Sequence, residues 1–346
     1  MKIAILKNEE DNSAMKWQKA CERYKLDYDV IDLISNDWFE KVTAKNYDFL
    51  LLKPGGKLER YKQLYDERIF IISNILKFNI FPSYNEAYVY ENKKLLSYFL
   101  KATKIPHPET NVFYRRDEAF SFINNIDYPV IGKTSIGASG SGVNILKDKI
   151  AAEKYINMAF SKKGLKRRFG PNRVTGSPNK WLKKAMRSPQ YLKNRLMEYI
   201  SIYHDGQRGF VIFQEYTPHE FEWRVVKIGE SYFAHKKIKT GEMASGSKGI
   251  DYVNPPFELL DFLKEICDKN NFQSVAIDIF EHPQRGYLVN EIQTIFGHVQ
   301  THILEVNGKP GRYLHQNNQW IFEEGNFNTN ESYDLRLETA LKLYGG

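Results

Sequence analysis

The 346 residues are 42% hydrophobic, enough for a large core and for about two to three structural units at ~100–200 residues each. Two cysteines, Cys21 and Cys267, stand far apart and outside any ligand spacing, which argues against a disulfide framework and a zinc site and fits a reducing compartment. The net charge of +8 is concentrated between Ser161 and Leu196, with twelve Lys or Arg and no acid, so a pI near 9.1 does not imply general nucleic-acid binding.

The N-terminus lacks a signal-peptide profile, and no apolar stretch approaches the ~18 residues that span a bilayer. A cytosolic, soluble protein without a membrane span is expected. Lys2 to Leu6 reads as a first strand. Ala14 to Tyr24 has helical spacing, with Trp17, Ala20, Cys21 and Tyr24 on one face. Leu26 to Leu33 reads as a second strand and Asp48 to Leu52 as a third, of the continuous apolar, buried type. Strand and helix alternating in this way predict a small parallel α/β unit. Ligands of such sheets sit beyond the carboxyl ends of the strands, which puts the Lys53–Gly56 loop at a candidate substrate edge.

Glu91 to Ala102 predicts a helix, stopped by Ile105-Pro106-His107-Pro108. Tyr128 to Lys133 is a strand, Thr134 to Val143 a loop rich in Gly and Ser, and Asn144 to Leu146 the returning strand. Gly209 to Tyr216 reads as a buried strand. Glu222 to Lys227 and Ser231 to Ala234 read as a strand pair around Ile228-Gly229, and Phe257 to Lys269 as an amphipathic helix. Ser274 to Gln293 reads as a hairpin turning at Pro283-Gln284-Arg285-Gly286. Leu335 to Tyr344 closes the series as a helix.

Several of these segments carry chemistry. In the hairpin, Glu291 and Gln293 share a face of one strand, and the turn can bring Asp278 opposite them. Two carboxylates and a carboxamide oxygen are hard ligands, suited to Mg²⁺ held together with phosphates. Gly137, Gly140 and Gly142 let backbone amides approach an anion, and Ser141 adds a hydroxyl donor. Lys133 ends an apolar strand, where a charge needs a partner. The P-loop and dinucleotide fingerprints fail on spacing, since the first glycine of a P-loop ending at Gly132-Lys133-Thr134 would fall at Asp127. Gln214-Glu215-Tyr216 ends a strand that can offer backbone groups to a purine edge. Glu222 and Arg224 lie on one face of theirs, and a surface ion pair is the plain alternative for them.

Taken in order, the segments ENKKLLSYFLKATKIPHPET, YPVIGK, GASGSGV, VIFQEY, EWRVVKIGESYFAHKKI and the Asp278, Glu291, Gln293 triad, spaced thirteen and then two apart, resemble the ATP-grasp superfamily over nearly the whole chain. MASGS at 243–247 and YDERIFIIS at 65–73 are similar to ATP-grasp proteins of bacterial polysaccharide clusters. The resemblance implies an α/β (α+β) ATP-grasp fold: a pre-ATP-grasp unit at 1–88, a central lid unit at 89–217 and a catalytic unit at 218–346. It implies a carboxylate–amine ligase using ATP and one or two Mg²⁺ (Mn²⁺ as an alternative). Lys93 and Lys133 would bind phosphates, and Gly137, Ser139, Gly140, Ser141 and Gly142 would close over them. Gln214, Glu215 and Tyr216 would hold adenine, and Glu222 the ribose. Arg224 with Lys237, or with Lys236 in its place, would face the transferred phosphoryl group. Asp278, Glu291 and Gln293 would carry the metal. Two positions depart from the pattern: Gln293 stands where relatives usually have Asn, and Met243 where many have Arg.

The expected partners are a small or glycan-linked carboxylate and an amine, with an anionic glycan or sugar nucleotide at the basic segment; a solvated insert is the equal alternative there. Nucleic acid is not expected, because few aromatics interleave the cations. A homodimer is one expectation for the assembly. A ligase of free amino acids or peptides, and a phosphotransferase on the same fold, are the competing functions.

Overall fold

The computed structural model describes residues 1–10, 12–56, 58–137, 140–168, 188–240, 243–244, 249–296, 298 and 300–345. Three sheets organise these residues.

The first holds β1 (Ile3–Lys7), β2 (Tyr28–Asp32), β3 (Phe49–Leu52) and β4 (Ile80–Phe81), all parallel, in the order β2-β1-β3-β4. β3 is buried along its whole length, as its unbroken apolar run requires. Helices α1 (Met15–Arg23), α2 (Trp38–Thr43), α3 (Glu59–Phe70) and α4 (Tyr84–Val89) connect and cover it. Trp17, Ala20 and Cys21 of α1 are buried, whereas Tyr24, expected on that face, lies just past the helix end and is exposed. α3 runs into a π-helical turn at Ile71–Ile75.

The second sheet holds β5 (Thr110–Phe113), β6 (Val130–Lys133), β7 (Val143–Leu146) and β8 (Val211–Glu215), antiparallel, in the order β5-β8-β6-β7. α5 (Lys93–Ala102) packs Leu96 and Leu100 beside Trp223 and Val225, whereas α6 (Arg116–Ile123) and α7 (Lys149–Ala159) cover this second sheet; α8 (Pro189–His204) follows in the chain. α5 begins two residues later than its sequence suggests. Asn92 caps it through Leu95 N at 3.2 Å, and Glu91 before it takes a left-handed φ of 49°.

The third sheet holds β9 (Phe221–Ile228), β10 (Ser231–Thr240), β11 (Met243–Ala244), β12 (Ile250–Asp251), β13 (Ser274–His282), β14 (Gly286–Gln293), β15 (Glu305–Val306), β16 (Lys309–Gln316) and β17 (Gln319–Glu324). Its main path is β14-β13-β9-β10-β16-β15. β10 runs six residues beyond the expected Ala234, pairing Lys237 with Glu222 and Ile238 with Phe221. α9 (Phe257–Asn270) buries Leu259, Leu260, Leu263 and Ile266 in the core of this sheet. The last helix, α10 (Tyr333–Tyr344), instead packs Tyr333, Leu337 and Ala340 into the core of the first sheet, beside Trp17 and Phe49.

No helix among the described residues is long and apolar enough to cross a membrane.

Candidate functional site

Pleating decides which side chains of the third sheet meet. Register sets His235 opposite Arg224, Arg224 opposite Asp278, and Asp278 opposite Glu291, one row across four strands. Two residues along, Glu222 lies opposite Lys237 on the same face. The contacts follow. Arg224 Nε and Nη2 donate to the two Asp278 oxygens at 2.8 and 2.9 Å, a bidentate pair. Lys237 Nζ donates at 2.7 Å both to Asp278 Oδ2 and to Glu222 Oε2. Glu222 and Arg224, one face of one strand, therefore pair across strands rather than with each other. Lys236 points to the opposite face, 3.9 Å from the Phe221 ring centroid.

These groups are buried, which sets their ionisation. Burial disfavours charge on Asp278, but Arg224 and Lys237 outweigh it and hold its carboxyl well below the usual range. Burial likewise opposes the charges of Lys237 and Arg224, and their carboxylate neighbours, Asp278 foremost, raise both above ordinary values.

Lys133, at the end of β6, is buried and reaches Asn290 Oδ1 at 3.0 Å; Asn290 Nδ2 in turn donates to Glu222 Oε1 at 3.3 Å. Burial pushes the Lys133 ammonium down to about 8, with Glu291 pulling the other way and Lys93 adding to the fall. Lys93, the first residue of α5, donates to the Gly137 carbonyl at 3.0 Å and lies 3.4 Å from Glu291 Oε1. Burial works against its charge, but Glu291 and Glu91 more than compensate.

The Gly-rich loop springs from this corner. Gly137 N donates to Glu91 Oε2 at 2.9 Å, and Thr134 N to Gly142 O at 2.9 Å. A Cβ on Gly142 would fall 1.8 Å from Thr134 Oγ1, so the loop closes on itself only with glycine there. Ser141 O accepts from Arg168 N at 2.8 Å, and Val143 N donates to Gly140 O at 3.2 Å. Ser139 lies outside the described residues.

Gln214 and Glu215 end β8, with Tyr216 just beyond. The Gln214 side chain is buried and donates to Thr110 Oγ1 at 3.1 Å. Glu215 accepts from Arg285 Nη2 at 2.6 Å, tying this strand end to the hairpin turn. Gln293 lies opposite Ala276, two residues from Glu291 on the same strand, half-buried.

The structure thus gathers Lys93, Lys133, Glu222, Arg224, Lys237, Asp278 and Glu291 into one network. Sequence reasoning missed Asn290, Glu91 and Gln207. Asn290 was hidden because strict alternation turns it away from Glu291. In the structure the register slips between Asp278 and Ile279, so Asn290 has no partner residue on β13 and joins Glu291 on the site face. Glu91 was absorbed into the helix it precedes. Gln207 is fully buried and clamps the loop entry, accepting from Ile136 N and donating to Ile136 O, both at 3.0 Å.

Hard oxygen donors suit Mg²⁺ here. Among the described residues no group of three or more His, Cys, Asp or Glu side chains is placed to hold a metal ion. Asp278 and Glu291 stand opposed in register with Gln293 two residues along, oxygen donors of the kind Mg²⁺ takes, and Arg224 and Lys237 hold both Asp278 oxygens. Of the basic segment, 169–187 lie outside the described residues, as do 245–248 of the Met243–Gly249 loop.

No family model matches the chain. The glutamate–LysW ligase ArgX of Sulfurisphaera tokodaii is 24% identical over 285 residues, spanning 80% of this chain and 84% of that protein. The D-alanine–D-alanine ligase of Bacillus anthracis complexed with ATP aligns with a TM-score of 0.57 at 15% identity, over 100% of this chain and 98% of that one. The RimK domain ATP-grasp protein of Sphaerobacter thermophilus gives a TM-score of 0.53 at 16% identity, covering 84% and 90%. With its parallel first sheet and two further sheets, this mixed α/β chain has the ATP-grasp fold.

Proposed function

We propose that the chain is an ATP-dependent carboxylate–amine ligase, ADP-forming and working through an acyl phosphate. The observation that carries this reading is the convergence of Lys93, Arg224 and Lys237 on Asp278 and Glu291, with Lys133 on the neighbouring Asn290, beside a Gly-rich loop. Such a site neutralises a polyphosphate and aligns it for transfer. In this reading residues 1–88, 89–217 and 218–346 are the pre-ATP-grasp, lid and catalytic units. Lys93, Lys133 and the 137–142 loop hold phosphates, the Gln214–Tyr216 strand end holds adenine, and Glu222 the ribose. Asp278, Glu291 and Gln293 would hold Mg²⁺, which when bound draws charge from the phosphates.

A substrate carboxylate oxygen attacks the γ-phosphorus and the bond to ADP breaks. Arg224 and Lys237 offset the charge on the phosphoryl group in flight, then on the oxyanion formed when the amine attacks the acyl carbon. Phosphate departs, the nitrogen loses a proton and the amide remains. Closing the Gly-rich loop keeps water from the acyl phosphate.

The basic 161–196 segment supports an anionic acceptor, and a uronic acid or amino acid joined in surface-glycan assembly is the substrate class it suits. The resemblance to a glutamate–LysW ligase favours a second reading, a ligase of amino-acid or peptide substrates. ADP release screened over carboxylates with and without amines tests the proposal. A ligase needs both and yields an amide; a kinase needs no amine and its phosphorylated product persists. Glu291→Ala is expected to abolish carboxylate-dependent ADP formation with the fold intact, and unchanged turnover would remove the metal assignment.

A further inference from the structure

Away from the network above, a cleft of about 370 Å³ opens between the start of α3 and the chain segments around Lys162 and Asp205. Its walls carry Arg60, Lys162, Lys163 and Arg208 against Glu59 and Asp205. The two acids are already engaged. Asp205 is held by Arg167 Nη2 at 2.9 Å and accepts from Glu59 N at 2.9 Å, and Glu59 lies 3.9 Å from Lys94. Among the described residues, none of the four cations forms an ion pair. Arg208 is fixed at the rim by donating to the Lys162 carbonyl at 3.3 Å, and Arg60 rests 4.7 Å from the Tyr61 ring centroid. The cleft thus sets four exposed cations against two acids, with Arg60 acting on Asp205, and keeps an excess of positive charge from two separate parts of the chain. A group that carries several negative charges offsets this excess.

Next to Gly206 of the cleft wall, a backbone bridge leads to the Gly-rich loop. Leu165 N donates to Gln207 O at 2.7 Å and Gln207 N to Leu165 O at 3.0 Å. A Cβ on Gly206 would meet the Lys163 carbonyl at 2.3 Å, so this approach depends on glycine. Gln207 then clamps Ile136, next to Gly137. A ligand bridging Arg60 and Lys163 would bear on the bridge that anchors the loop.

We propose that this cleft is a second anion site, taking the diphosphate group of a small ligand and lying outside the ATP site. The volume is within the range of small-molecule sites, roughly 300–1,000 Å³. The inference stands whether or not the chain is a ligase, because its test is binding. Inorganic pyrophosphate is titrated calorimetrically into the full chain saturated with ADP. Binding is expected to persist at saturating ADP, to weaken steeply with salt, and to drop about tenfold or more in Arg60→Glu and in Lys163→Glu, with ADP affinity unchanged. Arg208→Gln, an exposed change, gives the same test if a charge reversal disturbs folding. Titration of UDP under the same conditions separates the sources: tighter binding than pyrophosphate marks a nucleotide-borne diphosphate, equal binding a free one. Loss of the pyrophosphate signal once ADP saturates, or unchanged affinity in the variants, overturns the proposal.

Discussion

Asn290 Oδ1 accepts a hydrogen bond from Lys133 Nζ at 3.0 Å, joining the second sheet to the third. The bulge in β14 makes this contact, since without it Asn290 would face away from Glu291. Asn290→Ala leaves a buried ammonium without its acceptor. That costs about 1–2 kcal/mol and is expected in urea unfolding of the free protein. In a Lys133→Ala background the same Asn290 change should have little further effect.

The Lys133 ammonium, lowered to about 8, gives a pH dependence with a definite sign. Between about 8 and the ordinary lysine value near 10.4 the unfolded chain binds more protons than the folded one, so this group's contribution to stability rises with pH across that window. Nucleotide affinity should move the opposite way. Phosphates need the charged form, so ATP binding is expected to weaken as pH rises through about 8. Lys133→Arg should flatten that profile, because guanidinium stays charged. An identical profile in the variant would count against the assignment.

Asp278 sits between two cations, and its carboxyl is held well below the ordinary range. Asp278→Asn leaves Arg224 and Lys237 short of countercharge in a buried setting and is expected to cost about 3–5 kcal/mol in urea unfolding. Acid tells the same story: the stability from this carboxylate is present above the unfolded value near 3.9 and is lost as pH falls toward the folded one. Arg224→Met in the Asp278→Asn background should cost less than in the parent chain, the signature of coupled partners.

Glu86 joins two parts of the molecule. It caps α4 by accepting from Ser83 N at 2.8 Å, and it also accepts from Gln273 N at 2.7 Å and Ser274 N at 2.5 Å, where β13 begins. Glu86→Ala leaves the buried Ser274 amide and two half-buried amides unpaired and is expected to cost roughly 2–4 kcal/mol by denaturant unfolding. Glu86→Gln should recover part of this.

Much of the frame was legible because its strands follow one period each. Phe49–Leu52 is buried throughout, and the Ser274–Gln293 hairpin has its strands and turn close to where the sequence suggests. The site was legible where one residue type has one explanation, as with a lysine ending an apolar strand. It was incomplete where tertiary context overrides local pattern. The second strand of the pair was expected to end at Ala234, yet it runs on to Thr240 and Lys237 is buried where acids on β9 and β13 meet it. Lys236 and Lys237 become distinguishable only once β10 is known to continue to Thr240. Asn290 stayed hidden because a bulge is a property of two strands, and no single strand's sequence records it.

The docking of α10 against Trp17 and Phe49 has a consequence for how the chain is made. A ribosome delivers the first sheet early, but part of its apolar covering arrives only with residues 333–344. Until then Trp17 lacks Tyr333, whose ring centroid stands 4.8 Å from its own in the finished molecule. The apolar cover of the first sheet is therefore complete only once residues 333–344 are available to it, more than 300 residues along the chain from Trp17.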